Sequence, residues 1–260
     1  MSDADIPLRR LIIAVDVHRY SRRDPLAQVD TQKDLIDALE NAAVAVGLDR
    51  RKWHLQSIGD GELAILPAAV DEPVVVADFV EELRKRLLRQ NRSLRRDARL
   101  RIRVAIHSGM LHLAANGYAG PGPVETCRLL DAAPLKDALA AADEADLVLI
   151  VSDSLFRDIV KPGFRGLRPE HFRPVRVTVK EFNRTGYVTV PGHGLPPTAD
   201  DPPPADSPPT DPPPPSDVPP EWPTGHRAYG QPHTQINVTS HGSGPAFGGH
   251  QYNLGGSGDG

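Results

Sequence analysis

Residues 8–17 read LRRLIIAVDV, and this stretch decides how the rest of the chain is interpreted. Its centre, 11–15, is short, apolar and rich in β-branched side chains, a pattern that predicts a buried strand. The strand ends abruptly at Asp16 and is followed by a polar segment at 18–24. Its position at the end of a buried strand makes Asp16 the first candidate functional residue.

The segments after this strand predict a fold that combines helices and strands. Apolar residues at helical spacing predict helices at 25–46, 72–88, 124–142 and 153–160. Strand patterns occur at 53–58, 62–66, 99–107, 110–115, 147–152, 175–179 and 187–190. The order contains two hairpins, so it predicts an α+β sandwich with a mixed or antiparallel central sheet instead of a doubly wound parallel sheet.

Two places in the chain predict turns between strands. The sequence GDG at 59–61 separates two short strands and is typical of a tight hairpin. The strand at 99–107 alternates apolar and polar residues, so we expect one of its faces to be exposed. Ser108 and Gly109 are expected to turn it into the strand at 110–115.

The composition of the chain changes sharply near residue 190. Residues 1–190 carry a net charge of +2, whereas residues 191–260 carry −6. The segment 191–223 holds 15 of the 27 prolines. We therefore expect one folded domain at 8–190, which is long enough to bury a sizeable core.

Composition also excludes several classes of protein. No apolar run approaches the ~18 residues of a membrane span, and the acidic residues near the start are the reverse of a secretory signal. Cys127 is the only cysteine, so neither a disulfide framework nor a Cys-based zinc site can form within the chain. The nearly neutral domain lacks the basic footprint of a nucleic-acid-binding protein. These features predict a cytoplasmic protein that binds neither membranes nor nucleic acid.

Asp60 is the second candidate functional residue, since it lies at the tip of the predicted hairpin. If the strand at 8–17 lies beside that hairpin, Asp16 and Asp60 point from the same edge of the sheet. Two carboxylates there suit a divalent metal, most naturally Mg²⁺ with a nucleoside triphosphate. Backbone amides after the strand, with Arg22 and Arg23 nearby, suit the phosphates. The alternative is that Asp16 caps a loop and Asp60 belongs to an ordinary Asp-Gly turn.

Four segments at family-like spacing point to a known family. They are 12–21 (IIAVDVHRYS), 56–66 (QSIGDGELAIL), 101–110 (RIRVAIHSGM) and 120–129 (GPGPVETCRL). Together they resemble the class III adenylate/guanylate (nucleotidyl) cyclase catalytic domain, over about residues 8–190. The resemblance implies a ferredoxin-like, palm-type α/β sandwich. It also implies two-metal conversion of a nucleoside triphosphate to a 3′,5′-cyclic nucleotide and pyrophosphate.

The resemblance implies a role for each matching residue. Asp16 and Asp60 match the two metal aspartates, with the Val17 carbonyl assisting them in holding Mg²⁺ or Mn²⁺. Arg128 matches the arginine that stabilises charge on the α-phosphate in the transition state. The residues that match the substrate-binding positions are Arg19, Tyr20, Ser21, Arg22, Arg23 and Gln56. The family's active site lies at a head-to-tail dimer interface, so we expect a homodimer and an inactive monomer.

The sequence departs from the family at the positions that hold the sugar and the base. Val124 replaces an asparagine that positions the ribose, and its side chain cannot form hydrogen bonds. Gln56 replaces the base-selecting lysine or glutamate, and the second base-contacting position falls near Gly117. The usual purine selection is therefore lost, and a pyrimidine becomes an option. The alternative function is a catalytically degenerate nucleotide-binding sensor or scaffold, which recruits an effector protein through its C-terminal tail.

The residues after 190 are expected to lie outside the folded domain. A Pro/Asp-rich segment cannot bury enough apolar surface to fold, so 191–222 is predicted to be a disordered linker. The tail at 223–260 is rich in Gly, His and Asn. Within it, 234–253 resembles the short amyloid signalling motifs of bacterial and fungal immune-type proteins, in which identical segments stack through amide ladders. The alternative is a Gly-rich tail with no such activity.

Overall fold

Helices and strands are interspersed along the chain, as the sequence predicts. The structure is a computed structural model, and it describes residues 6–194 except 116 and 180. The strands are β1 (Leu8–Val17), β2 (His54–Ile58), β3 (Gly61–Ile65), β4 (Ile102–Ala114), β5 (Gly117–Ala119), β6 (Leu147–Ser152), β7 (Arg173–Val179) and β8 (Phe182–Thr189). The helices are α1 (Pro25–Ala45), α2 (Val80–Asn91), α3 (Pro121–Leu130), α4 (Ala133–Ala141) and the short α5 (Asp153–Leu155). Wider π-helical turns precede α2 at Val74–Phe79 and follow α5 at Phe156–Val160.

Within the described residues, eight strands form one mixed sheet. Its order is β2-β3-β1-β4-β6-β8-β7, and β5 pairs with the end of β4. The pair β4 and β6 is parallel, whereas the other neighbours are antiparallel. The prediction of an α+β fold with a mixed central sheet is confirmed.

The apolar run in β1 is buried on both faces because helices cover both sides of the sheet. Leu11 and Ile13 pack in one core with residues of α1 and α2. Ile12 and Ala14 pack in a second core with residues of α3 and α4. Side chains alternate across a strand, so Asp16 lies on the α3 side of the sheet with Ile12 and Ala14.

The prediction of a half-exposed strand that turns at Ser108 and Gly109 is wrong. β4 lies between β1 and β6, and most of its side chains on both faces are buried. Ser108 and Gly109 stay in the strand because they pair with Leu11 and Arg10 of β1. Gly109 serves close packing instead of a turn, since a Cβ there would lie 2.7 Å from the Cα of Gly122 in α3.

The single helix predicted at 124–142 is also wrong, since two helices, α3 and α4, occupy this region. Pro134 lies in the first turn of α4. In a continuous helix it would lack a hydrogen to donate, and its ring would clash with the carbonyl of Leu130. The chain therefore leaves the helical conformation at Ala132, where ψ is 130°, and Asp131 becomes the C-cap of α3.

The predicted linker and tail fall almost entirely beyond the part of the chain that the structure describes. Only 191–194 of the linker at 191–222 are described, and the tail at 223–260, with its segment 234–253, lies outside the described residues. Of the helices that are described, none has both the length and the apolar character to cross a bilayer.

Candidate functional site

The fold brings the two candidate aspartates to the same edge of the sheet. β1 pairs with β3 so that Val15 lies opposite Glu62, and the turn that carries Asp60 therefore lies next to Asp16. Gly61 allows this close approach. A Cβ at that position would overlap the carbonyl oxygen of Val15 and lie 2.8 Å from the Cα of Asp16.

The carboxylate of Asp16 is held by a residue of the neighbouring strand. Asp16 lies opposite Arg103 in the antiparallel pairing of β1 with β4. The Arg103 Nε donates to Oδ1 of Asp16 at 2.7 Å, and its Nη2 donates to Oδ2 at 2.6 Å. Only 14% of the Arg103 side chain and 12% of the Asp16 side chain are exposed. The result is a nearly buried, bidentate ion pair at the centre of the candidate site.

Burial and neighbouring charges of both signs act on the Asp16 carboxylate. Burial raises the pKa of Asp16 above its usual value, and the two bonds from Arg103 oppose that rise. The negative charges of Asp60 and Asp131 raise the pKa further. A positive ion placed between Asp16 and Asp60 would relieve this repulsion.

The donors at this edge fit a hard divalent cation. Asp16 and Asp60 supply carboxylate oxygens, and the backbone of Val17 ends β1 next to them. Both oxygens of Asp16 accept from Arg103, but each keeps a further lone pair. Across the described ranges, no group of three or more His, Cys, Asp or Glu side chains is arranged to hold a metal. The site is therefore a two-carboxylate site in which any cation shares Asp16 with Arg103.

The loop after β1 is the predicted triphosphate-binding segment. It forms a short 3₁₀ turn at Tyr20–Arg22, and Arg19 before it adopts the left-handed conformation with φ 58°. The side chains of Arg19, Ser21 and Arg22 are exposed. A left-handed conformation at a residue other than glycine is uncommon and often marks a site where the backbone has a functional role.

The two other residues of this loop are engaged in structural contacts. The hydroxyl of Tyr20 accepts from Nε2 of Gln32 in α1 at 2.9 Å. The guanidinium of Arg23 donates to the carbonyl of Arg99 at 2.6 Å and to that of Ala98 at 3.3 Å. Arg23 therefore anchors the loop, and within the loop Arg19 and Arg22 are the better placed to meet phosphate.

His18 marks a concentration of positive charge next to Asp16. Its pKa is lowered to about 4, chiefly by burial. Four guanidinium groups contribute to that shift: Arg101, Arg19, Arg103 and Arg22. His18 is therefore neutral near pH 7, and the arginines around it give the site its positive potential. This local cluster does not appear in the net charge of the domain.

The fold also brings together the two predicted base-contacting positions. Gln56 is exposed on β2 and lies on the same strand face as His54. Gly117 packs tightly against His54, because a Cβ at Gly117 would lie 2.5 Å from the imidazole Nε2. The imidazole meets the ring of Tyr118 edge to face, with 5.0 Å between the ring centres. Gln56 and Gly117 therefore belong to one surface, which also carries an aromatic pair.

Arg128 contacts the β7–β8 hairpin of its own chain. Its Nη2 is 3.9 Å from a carboxylate oxygen of Glu181, and its guanidinium lies 5.7 Å from the centre of the Phe182 ring. Among the described residues, neither Asp16 nor Asp60 is one of its partners. Val124, one helical turn earlier on α3, is 48% exposed.

Sequence reasoning missed Arg103, Asp131 and His18 as parts of this site. The signal for Arg103 was present in RIRVAI at 101–106, where an arginine occupies a polar position of an alternating strand. Its partner could not be known without the register of β1 against β4. Asp131 was placed inside a continuous helix, and its position as a C-cap depends on the break before α4.

Comparison with known proteins supports the fold. No family model and no curated protein matches the chain. An adenylate/guanylate cyclase/hydrolase from Silicibacter pomeroyi has a TM-score of 0.51 at 19% identity, covering 70% of this chain and 95% of that one. The adenylyl cyclase CyaB from P. aeruginosa has a TM-score of 0.45 at 16% identity, covering 70% and 94%. A non-canonical dimeric guanylyl cyclase domain of the RhoGC fusion protein from Blastocladiella emersonii has a TM-score of 0.46 at 16% identity, covering 71% and 98%. The likeness to the Silicibacter pomeroyi protein shows that the described domain has the adenylate/guanylate cyclase fold, as the four sequence segments imply.

Proposed function

We propose that the chain is a class III nucleotidyl cyclase-like signalling enzyme. The observation that carries the proposal is the placement of Asp16 beside the Asp60 turn, at one edge of a sheet with the cyclase fold. In the proposed reaction the 3′-hydroxyl oxygen of a nucleoside triphosphate forms a bond to the α-phosphorus. The bond between that phosphorus and the bridging oxygen of the β-phosphate breaks. Pyrophosphate leaves, and the hydroxyl proton passes to solvent.

The chain's own residues have distinct roles in this proposal. Asp16 and Asp60, with the carbonyl of Val17, hold Mg²⁺ or Mn²⁺. When bound, such a cation lowers the pKa of the attacking hydroxyl and neutralises the leaving pyrophosphate. Arg19 and Arg22 bind the triphosphate from the exposed side of the loop, because a guanidinium forms paired hydrogen bonds to phosphate oxygens.

The proposed enzyme is a homodimer in which Arg128 acts on the partner's substrate. Its location in the chain supports this assignment. Arg128 lies beside the β7–β8 hairpin, and among the described residues its ion-pair partner is Glu181 and not Asp16 or Asp60. A fixed guanidinium supplied across an interface would stabilise the charge that develops on the pentavalent phosphate.

The base is proposed to bind on the surface that carries Gln56. The Gln56 amide can both donate and accept, so it can pair with either a purine or a pyrimidine. His54 and Tyr118 supply aromatic surface next to it. The amide of Gln56 carries no charge of the kind that would select one purine over the other.

A second candidate function is a nucleotide-binding sensor that does not turn over its ligand. The exposed Val124 favours this alternative, because no amide is available there to hold the ribose. In that case the C-terminal tail would recruit or template an effector protein. The observation in favour of the tail's role is the order of folded domain, proline-rich spacer and terminal segment.

One experiment separates the two functions. The purified chain is incubated with each of the four nucleoside triphosphates and Mn²⁺, and cyclic nucleotide is measured by mass spectrometry. Product that is lost in Asp60→Ala supports the cyclase. Nucleotide-dependent thermal stabilisation without product from any of the four supports the sensor and rejects the enzyme.

The proposal for the tail has its own test. A peptide that spans 231–260 is kept at neutral pH for several days with thioflavin T. Fluorescent fibrils support templated recruitment, whereas a soluble, thioflavin-negative peptide counts against it.

A further inference from the structure

The ion pair between Asp16 and Arg103 places a fixed positive charge inside the proposed cation site. The two hydrogen bonds, at 2.7 and 2.6 Å, engage both carboxylate oxygens of Asp16. Because both side chains are nearly buried, water screens their interaction only weakly. Arg103 is thus the counter-ion of Asp16.

The charges around this pair are unevenly distributed. The turn that carries Asp60 lies on one side of Asp16, since a Cβ at Gly61 would lie 2.8 Å from the Cα of Asp16. Arg103 is the residue that neutralises Asp16, and it lies on the side opposite the hairpin that carries Asp60.

A divalent cation and a guanidinium compete for the same carboxylate. A metal ligand oxygen that also accepts from Arg103 donates less charge to the metal, and the two positive charges repel each other across the shared oxygens. Arg103 also lies next to the start of the loop after β1, because Arg103 pairs with Asp16 and the His18 N–H donates to the carbonyl of Arg101 at 2.8 Å. A guanidinium that loosens its hold on Asp16 therefore stays beside the loop proposed to bind the triphosphate.

We propose that Arg103 is an internal counter-cation of the site, which a divalent cation must partly displace from Asp16 in order to bind. The inference rests on the proposed function for the identity of the cation site. Arg103 is a positioning residue in this account, since it acts on the metal through Asp16. Its two hydrogen bonds hold the Asp16 carboxylate in one orientation, and it weakens binding of the metal until nucleotide is present.

The test measures Mn²⁺ binding in the absence of nucleotide. Mn²⁺ is titrated into the full chain by calorimetry, and free Mn²⁺ is followed by electron paramagnetic resonance. Arg103→Gln is expected to bind Mn²⁺ at least about tenfold more tightly than the wild type, because the competing charge is gone. Its melting temperature should also rise more on addition of saturating Mn²⁺, since tighter binding stabilises the folded state more.

Two further variants serve as controls. Arg103→Lys keeps the charge but loses the paired geometry, so its affinity is expected between those of the wild type and Arg103→Gln. It also provides the measurement if Arg103→Gln fails to fold. Arg9→Gln removes an arginine that bonds Ser108 on the same sheet, and its affinity for Mn²⁺ should equal that of the wild type.

The outcomes separate this inference from the proposed function. Equal or weaker binding by Arg103→Gln, or by Arg103→Lys if that variant alone folds, overturns the inference and leaves the metal site intact. Binding by an Arg103 variant together with none by the wild type supports the inference and contradicts a working metal site in the natural protein. No binding by any variant overturns both.

Discussion

The guanidinium of Arg128 lies 5.7 Å from the centre of the Phe182 ring, so α3 directs this arginine toward the β7–β8 hairpin of its own chain. Glu181 at that hairpin is 89% exposed and lies 3.9 Å from the Arg128 Nη2, so the ion pair is a weak restraint. Arg128 is therefore free to exchange this contact for a phosphate presented by a second chain. Among the described residues it pairs with neither Asp16 nor Asp60, which is compatible with the proposed site shared between two subunits.

Complementation between two inactive variants tests the shared site. Arg128→Ala and Asp60→Asn are each expected to lack cyclase activity. A mixture should recover about a quarter of the wild-type activity, because random pairing makes half of the dimers mixed and each mixed dimer has one intact site. The measurement is cyclic nucleotide formed by co-refolded or co-expressed variants. A mixture as inactive as its parents would place Arg128 and Asp60 in the same chain's site, or outside it.

Replacing Val124 tests whether the missing ribose contact limits catalysis. Val124 is 48% exposed, so a polar residue there should not disturb folding. Val124→Asn is expected to raise turnover by at least about tenfold, part of the 10²–10³ that one contact made in the transition state can supply. Val124→Ala is the matched control, and equal rates for the two variants would show that an amide at this position does not matter.

The buried ion pair of Arg50 with Glu62 should stabilise the hairpin that carries Asp60. Arg50 is 3% exposed and donates to both oxygens of Glu62 at 2.9 Å. Arg50→Gln leaves the Glu62 charge uncompensated, so the free energy of unfolding should fall by about 3–5 kcal/mol. Urea denaturation measures this change. Arg51→Gln, at an exposed pair with Asp49, should leave the midpoint unchanged, and equal midpoints for the two variants would contradict the prediction.

Stability should decrease as the pH falls from about 6.5 to about 4. Burial lowers the pKa of His107 from 6.5 to about 4. Glu125, at 3.6 Å from its Nε2, favours the protonated imidazole, but burial, together with the charge of Arg9, outweighs it. Between these pH values the unfolded chain binds a proton that the folded chain does not, so protonation favours unfolding. The loss is on the order of 3 kcal/mol when complete.

Melting temperatures between pH 7.5 and pH 4 measure this dependence. His107→Gln should flatten the profile, whereas His112→Gln, at an exposed position of β4, should leave it steep. His18 contributes in the same direction but less, since it is more exposed. A profile of the same slope in His107→Gln would mean that another group controls acid sensitivity.

Local patterns in the sequence were sufficient to predict the bounds of those strands and helices that do not depend on pairing with a distant segment. The strands Leu8–Val17 and Leu147–Ser152 have the predicted bounds. The helix predicted at 25–46 ends one residue earlier, at Ala45. β4 was misjudged because Ser108 and Gly109 look like a turn in isolation. Their hydrogen bonds go to β1, and a pairing between strands that are distant along the chain has no local signature.

The sequence by itself was enough to identify Asp16 and Asp60 as candidate functional residues. It also indicated the hairpin that carries Asp60 and the change of composition near residue 190. These features depend on residue type and short-range spacing, which a single chain displays directly. Only the tertiary structure decided that Asp16 is bound by Arg103 and that Arg128 contacts Glu181 and Phe182. A shift of one residue in the register of β1 against β4 would place Arg103 on the other face of the sheet. The ion pair at the site therefore depends on the pairing of β1 with β4. No local pattern in the sequence reveals that pairing.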